Sequence, residues 1–157
     1  MRKLETFTTM IFISLCFFGC EKIDVPENKE ATVLTVKAVR LETLSTGTKV
    51  EKPVPIFISI FLIPQGKMVK PEQSIFDIAK GYIIDTNNKE IQRTYIERES
   101  DGFLAKSLDE GSYFVCVMRD DESMKYSYTT VNVPKHKTTA IKKVFQSNYP
   151  KASFEKW

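Results

Sequence analysis

No stretch of this chain constrains its fold more than residues 56–63, IFISIFLI, in which Ser59 is the one polar member. An apolar run of eight without alternation is the pattern of a central β-strand buried on both faces. Pro53 and Pro55 before it and Pro64 after it fix its ends, because proline cannot donate to a sheet ladder.

Other strand patterns follow from residue 32 onward. TVLTVKAVRL (32–41) is rich in β-branched residues and partly alternating. GYIID (81–85) and EIQRTYIE (90–97) flank TNNK, where Asn87 and Asn88 tolerate positive φ, and together they predict a hairpin. GFLAKSL (102–108) follows the turn SDG, and SYFVCVM (112–118) follows DEG. YSYTTVNV (126–133) and TTAIKKVF (138–145) flank PKHK, which reads as an exposed hairpin turn. Strand-like segments about 8–15 residues apart, punctuated by such turns, predict one all-β sandwich of about seven strands over 32–145. In KPEQSIFDIAKG (70–81), Pro71 stands where a helix would begin and Gly81 where it would stop. A short helix and an irregular loop fit equally well. The tail at 146–157 is expected outside the core, with Phe154 and Trp157 able to dock back.

The N-terminus carries a different kind of signal. Met1, Arg2 and Lys3 give a positive start, and MIFISLCFF (10–18) follows without a charge. That run is too short to cross a bilayer, which takes about 20 apolar residues as a helix. Its proportions are those of a secretory signal peptide, although the small-residue cleavage pattern is missing. The run ends instead in Phe17-Phe18-Gly19-Cys20, which resembles the bacterial lipobox, with bulkier residues than usual at 17 and 18. The resemblance implies that residues 1–19 are removed and that Cys20 carries diacylglycerol and an N-acyl chain such as palmitate. Each buried methylene adds about 0.8 kcal/mol, so two or three chains make a lasting membrane anchor. Glu21 stands where an Asp would imply retention at the inner membrane, so the same resemblance implies the outer membrane. Residues 20–31, mostly polar and charged, read as a flexible tether, whose ten residues 21–30 span at most about 33 Å.

After such processing Cys116 is the one thiol left, so no intramolecular disulfide forms. Its neighbours in SYFVCVM are apolar, which makes it a small buried hydrophobe. The chain carries a net charge of +3, and loss of Arg2, Lys3 and Glu5 with the leader leaves +2. No dense basic run is present, which argues against nucleic-acid binding.

The segment ESDGFLAKSLDEGSYFVCVMRDD (99–121) resembles the most recognisable part of the transthyretin-like sandwich domains, the group holding carboxypeptidase regulatory-like and Cna-B-like modules. Asp101-Gly102 matches their turn, Phe103 opens the strand, Leu108 and Gly111 build the corner, and Tyr113, Val115 and Val117 take alternate inward positions. Gly111 would supply a backbone angle that other residues resist. Tyr113 would place its ring in the core and tie down the corner through its hydroxyl. Glu110 stands where the family usually has proline, and 64–90 would be an insertion. The resemblance implies a transthyretin-like Greek-key sandwich, a fold that serves many unrelated functions. It also implies that Lys37, Asn132 and the acid Glu97 are the residue types of a Lys–Asn isopeptide cross-link, although each is an ordinary outward residue in most sandwiches.

Catalytic and metal chemistry finds no footing. His136 has no Cys, His or carboxylate at ligand spacing. DTNNKE (85–90) lacks the glycine and closing glutamate of a calcium loop, and RDDES (119–123) reads as a solvated loop. There is no nucleophile–base pair and no Gly-rich phosphate loop, so no enzyme, metal or cofactor is expected. Tyr126 and Tyr128 alternate on one strand face; exposed, they would stack on a sugar or a protein, and inward they would be core. The alternation continuing through Thr129, Val131 and Val133 slightly favours core. The function expected is a non-catalytic binding or accessory module of the cell envelope with a protein or glycan partner. The alternative is a structural pilus- or adhesin-associated subunit that assembles by adding a strand at an open sheet edge.

Overall fold

The apolar run at 56–63 becomes strand β3 (Ile56–Ile63), with its ends where the prolines put them. In the computed structural model, which describes residues 31–146 and 151–157, β3 lies inside a four-stranded antiparallel sheet. Its neighbours there are β6 (Tyr95–Glu99) and β8 (Gly111–Arg119), and β9 (Tyr126–Val133) completes the order β6-β3-β8-β9. The second sheet is organised by β1 (Val33–Thr43). On one edge β1 pairs in parallel with β10 (Thr138–Phe145). Its other edge is shared: β7 (Phe103–Ser107) takes residues 33–37, and β2 (Lys49–Pro53) takes 39–43.

The two sheets pack face to face as an all-β sandwich. Leu34, Val36 and Ala38 of β1 meet Ile56, Ile58 and Ile60 of β3 and Tyr113, Val115 and Val117 of β8, and Val133 and Phe145 extend the layer. Fully burying each large apolar side chain contributes about 1.5–3 kcal/mol, so this layer dominates the stability of the body.

The lack of alternation in β3 has a physical cause. Ile56, Ile58 and Ile60 face the sandwich, whereas Phe61 and Ile63 face the opposite way, into a second core with Phe114 and Cys116 of β8. The cover comes from residues 64–94, which fold as α1 (Ile75–Lys80) and a hairpin of β4 (Tyr82–Ile84) and β5 (Glu90–Gln92). Ile78, Ile83 and Ile91 supply the apolar contacts. Gly81 ends α1 in the left-handed conformation at φ 105°, as its position predicts. The helix starts only at Ile75, so the stretch after Pro71 is loop and then helix, and each of the two readings holds for part of it. Buried Gln73 fastens the insertion: its amide nitrogen donates to Lys70 O and Ile84 O, and its amide oxygen accepts from Ile84 N.

Several expectations need correction. The described residues hold eight strands in the two large sheets, against the about seven expected of the sandwich, and two more in the insertion. EIQRTYIE is not one strand: Thr94 breaks it by donating its N–H to Ile60 O and accepting from Leu62 N at its hydroxyl. PKHK is not a hairpin turn, because β9 and β10 belong to different sheets and the turn is a crossover. Gly111 is not held at a positive φ. A side chain there would instead meet Leu62 at 3.0 Å, and the strained glycine of this region is Gly102 at φ 73°. The described end of the tail, 151–157, docks back as its aromatic residues allowed: Trp157 packs on the core, and Glu155 is buried as well. The leader, Cys20 and the tether through residue 30 lie outside the described residues.

Candidate interaction surface

Strand alternation turns half of the β6-β3-β8-β9 sheet away from the sandwich. Register places Arg98, Phe57, Met118 and Tyr126 side by side across all four strands, and an isolated bridge extends the row to Phe154 of the tail. The Arg98 guanidinium stacks 5.3 Å from the centre of the Phe57 ring, and the Tyr126 and Phe154 rings lie 5.8 Å apart. Arg98 also binds Asp120, which holds the guanidinium over the ring.

The insertion covers the adjacent row. Tyr128 sits between Phe114 and Phe154, at ring distances of 5.0 and 4.6 Å. Its hydroxyl accepts from Gln73 N at 3.1 Å and donates to Pro71 O at 3.2 Å. Both tyrosines therefore point away from the sandwich, where Val131 and Val133 are the inward set, and of the two Tyr128 packs on the second core. Tyr126 belongs to the open row, and Tyr128 ties the insertion to β9.

Between α1 and the sheet lies an apolar groove of about 220 Å³. Phe57, Ile75, Ile78, Ile96 and Met118 line it, and Ser59 and Arg93 are its polar members. Of its lining, Ile96 stands 52% exposed. Cys116 forms part of the lining, and burial pushes its thiol up to about 12, so it stays protonated at neutral pH and acts as packing. A surface of this composition, aromatic and methionine with one stacked arginine, has the makeup of protein-binding patches.

The remaining candidate residues are dispersed. Lys37 is exposed on β1 and Asn132 is exposed on β9, in different sheets. Glu97 accepts from Lys106 Nζ at 2.6 Å, and that ammonium lies 4.6 Å from the centre of the Tyr95 ring. Glu97 and Lys106 thus close the side of the sandwich between β6 and β7, and the structure does not bring Lys37, Glu97 and Asn132 together. His136 adopts φ 56° in the crossover, and its N–H donates to Thr32 Oγ1 at 2.8 Å. Asp85 accepts from Asn87 N and Lys89 N, each at 2.8 Å, and so caps the β4-β5 turn. Among the described residues no three His, Cys, Asp or Glu are grouped to hold a metal. None of their helices is long and apolar enough to cross a membrane.

Phe57, Ile96, Arg98 and Met118 escaped the sequence reading because a row across strands exists only once register is set. The available signal was that the outward positions of these strands are apolar where a solvated face would be polar. No family model, no curated protein and no solved structure matches the chain.

Proposed function

We propose that this chain is a lipid-anchored protein of the bacterial outer membrane, facing the periplasm or the outside, that binds a protein partner without catalysis. The observation that carries the binding reading is the open row of Arg98, Phe57, Met118, Tyr126 and Phe154 beside an apolar groove. A protein fits that groove better than a glycan, because sugar hydroxyls need many polar partners and the lining offers two polar residues. The anchoring part rests on the leader and Cys20. The transthyretin-like reading draws support from β7-β1-β10 packed on β6-β3-β8-β9, and from Tyr113, whose hydroxyl donates to Asp109 O at 2.9 Å.

Anchoring is tested by labelling cells with radioactive palmitate: incorporation should vanish, and the protein should leave the membrane fraction, in Cys20→Ser. A variant that stays membrane-bound overturns the anchor. Binding is tested with a photo-crosslinker at position 96 or, on the opposite sheet, at position 142. Discrete adducts from 96 alone, abolished by Met118→Asp, are expected; equal labelling from both faces refutes the surface. The second reading, assembly by strand addition, draws on β6, an edge strand of its sheet. It requires polymers that grow with concentration, and a monomer at all concentrations excludes it.

A further inference from the structure

The inward-facing positions of the sandwich change character at one end. Along β1 the inward series Leu34, Val36, Ala38 continues to Arg40; along β8 the series Tyr113, Val115, Val117 continues to Arg119. Inward Ser127, Val131 and Val133 of β9 are preceded, two residues before Ser127, by Lys125. Cations thus occupy positions where strand alternation calls for apolar side chains.

Arg40, Arg119 and Lys125 line one cavity of about 300 Å³, with Lys151, Glu42 and Ser123 completing its wall. Arg119 is buried, donates through Nε and Nη2 to Asp121 Oδ2, and lies 5.9 Å from the centre of the Phe145 ring. Lys125 is 3% exposed, and its ammonium donates to Gln146 O at 2.7 Å. Arg40 pairs with Glu42 through Nη2, while its Nε, shielded from solvent, has no hydrogen-bond partner among the described residues. Lys151 reaches Glu122 only at 3.9 Å across solvent. With Lys52, which also pairs with Glu42, five cations stand against Glu42, Asp121 and Glu122 and leave two positive charges over. The rest of the Arg40 side chain is 42% exposed, so its guanidinium can be reached from the cavity.

We propose that this cavity binds a phosphate group, with Arg40, Lys125 and Lys151 as its donors and Arg119, held by Asp121, as the fixed wall behind it. A phosphomonoester carries a charge of about −1.5 to −2 at neutral pH and three strong acceptors, which matches the excess charge of the cavity. Guanidinium groups suit phosphate because their donors form a rigid fork. The cavity volume lies at the lower end of small-molecule sites, so the phosphate can carry a modest substituent. Free phosphate and the headgroup of a phosphomonoester lipid present the same chemistry.

The test uses the full chain in detergent at fixed ionic strength, titrated with inorganic phosphate by calorimetry. A parallel arm measures flotation with phosphatidylcholine vesicles containing or lacking phosphatidic acid. Arg40→Gln and Lys125→Met should each weaken binding about tenfold, the loss expected for one charge-assisted hydrogen bond. Lys125 is buried and its variant can misfold, so Lys151→Gln, at an exposed site, serves as the second probe and should weaken binding several-fold. Saturable binding of inorganic phosphate that these variants lower supports the site with free phosphate as ligand. Flotation that requires phosphatidic acid and falls in the same variants supports it with a lipid headgroup. Absence of binding in both arms, or binding that Arg40→Gln and Lys151→Gln leave unchanged, overturns it.

Discussion

Replacing Gly102 by alanine tests how the two sheets are joined at their most crowded point. Gly102 has φ 73°, and a Cβ placed on it would lie 2.5 Å from Ala38 O and 2.6 Å from Val54 O. Both obstacles are backbone atoms, one in β1 and one in the link from β2 to β3, so neither can swing aside. The left-handed conformation alone costs a residue with a Cβ about 1–2 kcal/mol. Relief of the clash moves Gly102 away from β1 and breaks the bond from Ala38 N to Gly102 O, now 2.8 Å, leaving a buried donor at a cost of about 1–3 kcal/mol. The sum is about 2–5 kcal/mol, a large part of the 5–15 kcal/mol that holds a typical domain together. With a urea slope of about 2 kcal/mol per molar, the unfolding midpoint should fall by about 1–2.5 M. Trp157, the one tryptophan, packs against the core and reports the transition by fluorescence. Gly47→Ala is the control: φ is 82° but no atom lies within 4 Å, so about 1 kcal/mol and 0.5 M are expected. Equal midpoint losses in the two variants would refute the steric argument.

Four further outcomes are expected. Tyr113→Phe keeps the buried ring and loses the hydrogen bond to Asp109 O, which should lower stability by about 1 kcal/mol in urea unfolding. Lys143 and Glu155 are each buried and lie 3.3 Å apart, so Lys143→Met alone should cost about 3–5 kcal/mol, and adding Glu155→Leu should restore much of it; an additive double variant contradicts this. The two backbone donors Lys89 N and Asn87 N, with Lys67, hold the Asp85 carboxyl below its ordinary 3.8. A carboxylate depressed on folding stabilises above that value and loses its contribution as pH falls through the folded value. Urea midpoints at pH 7 and pH 3 should therefore differ less in Asp85→Asn than in the parent chain. Finally, burial keeps Cys116 protonated, so in a Cys16→Ser/Cys20→Ser chain, where it is the one thiol, a maleimide at pH 8 should label it only after denaturant is added.

The elements that the sequence announced are those whose signal is local. Proline on either side of 56–63 and the β-branched runs at 126–133 and 138–145 correspond residue for residue to β3, β9 and β10. The break at Arg93-Thr94 was invisible because it depends on hydrogen bonds to Ile60 and Leu62, some thirty residues away in the chain. The same holds for the row on the outer sheet face, whose members come from four strands and the tail.

From the sequence alone follow the all-β class, the positions of β3, β9 and β10, the leader-like N-terminus and the apolar surroundings of Cys116, since each depends on neighbours along the chain. Tertiary structure alone decided that the unalternating β3 faces two separate cores, that PKHK crosses between sheets, and that Trp157 and Glu155 return to the body. It also decided that Arg40, Arg119 and Lys125 share one cavity. The physical reason is that strand periodicity fixes which residues share a face, while sheet order and register fix which faces meet.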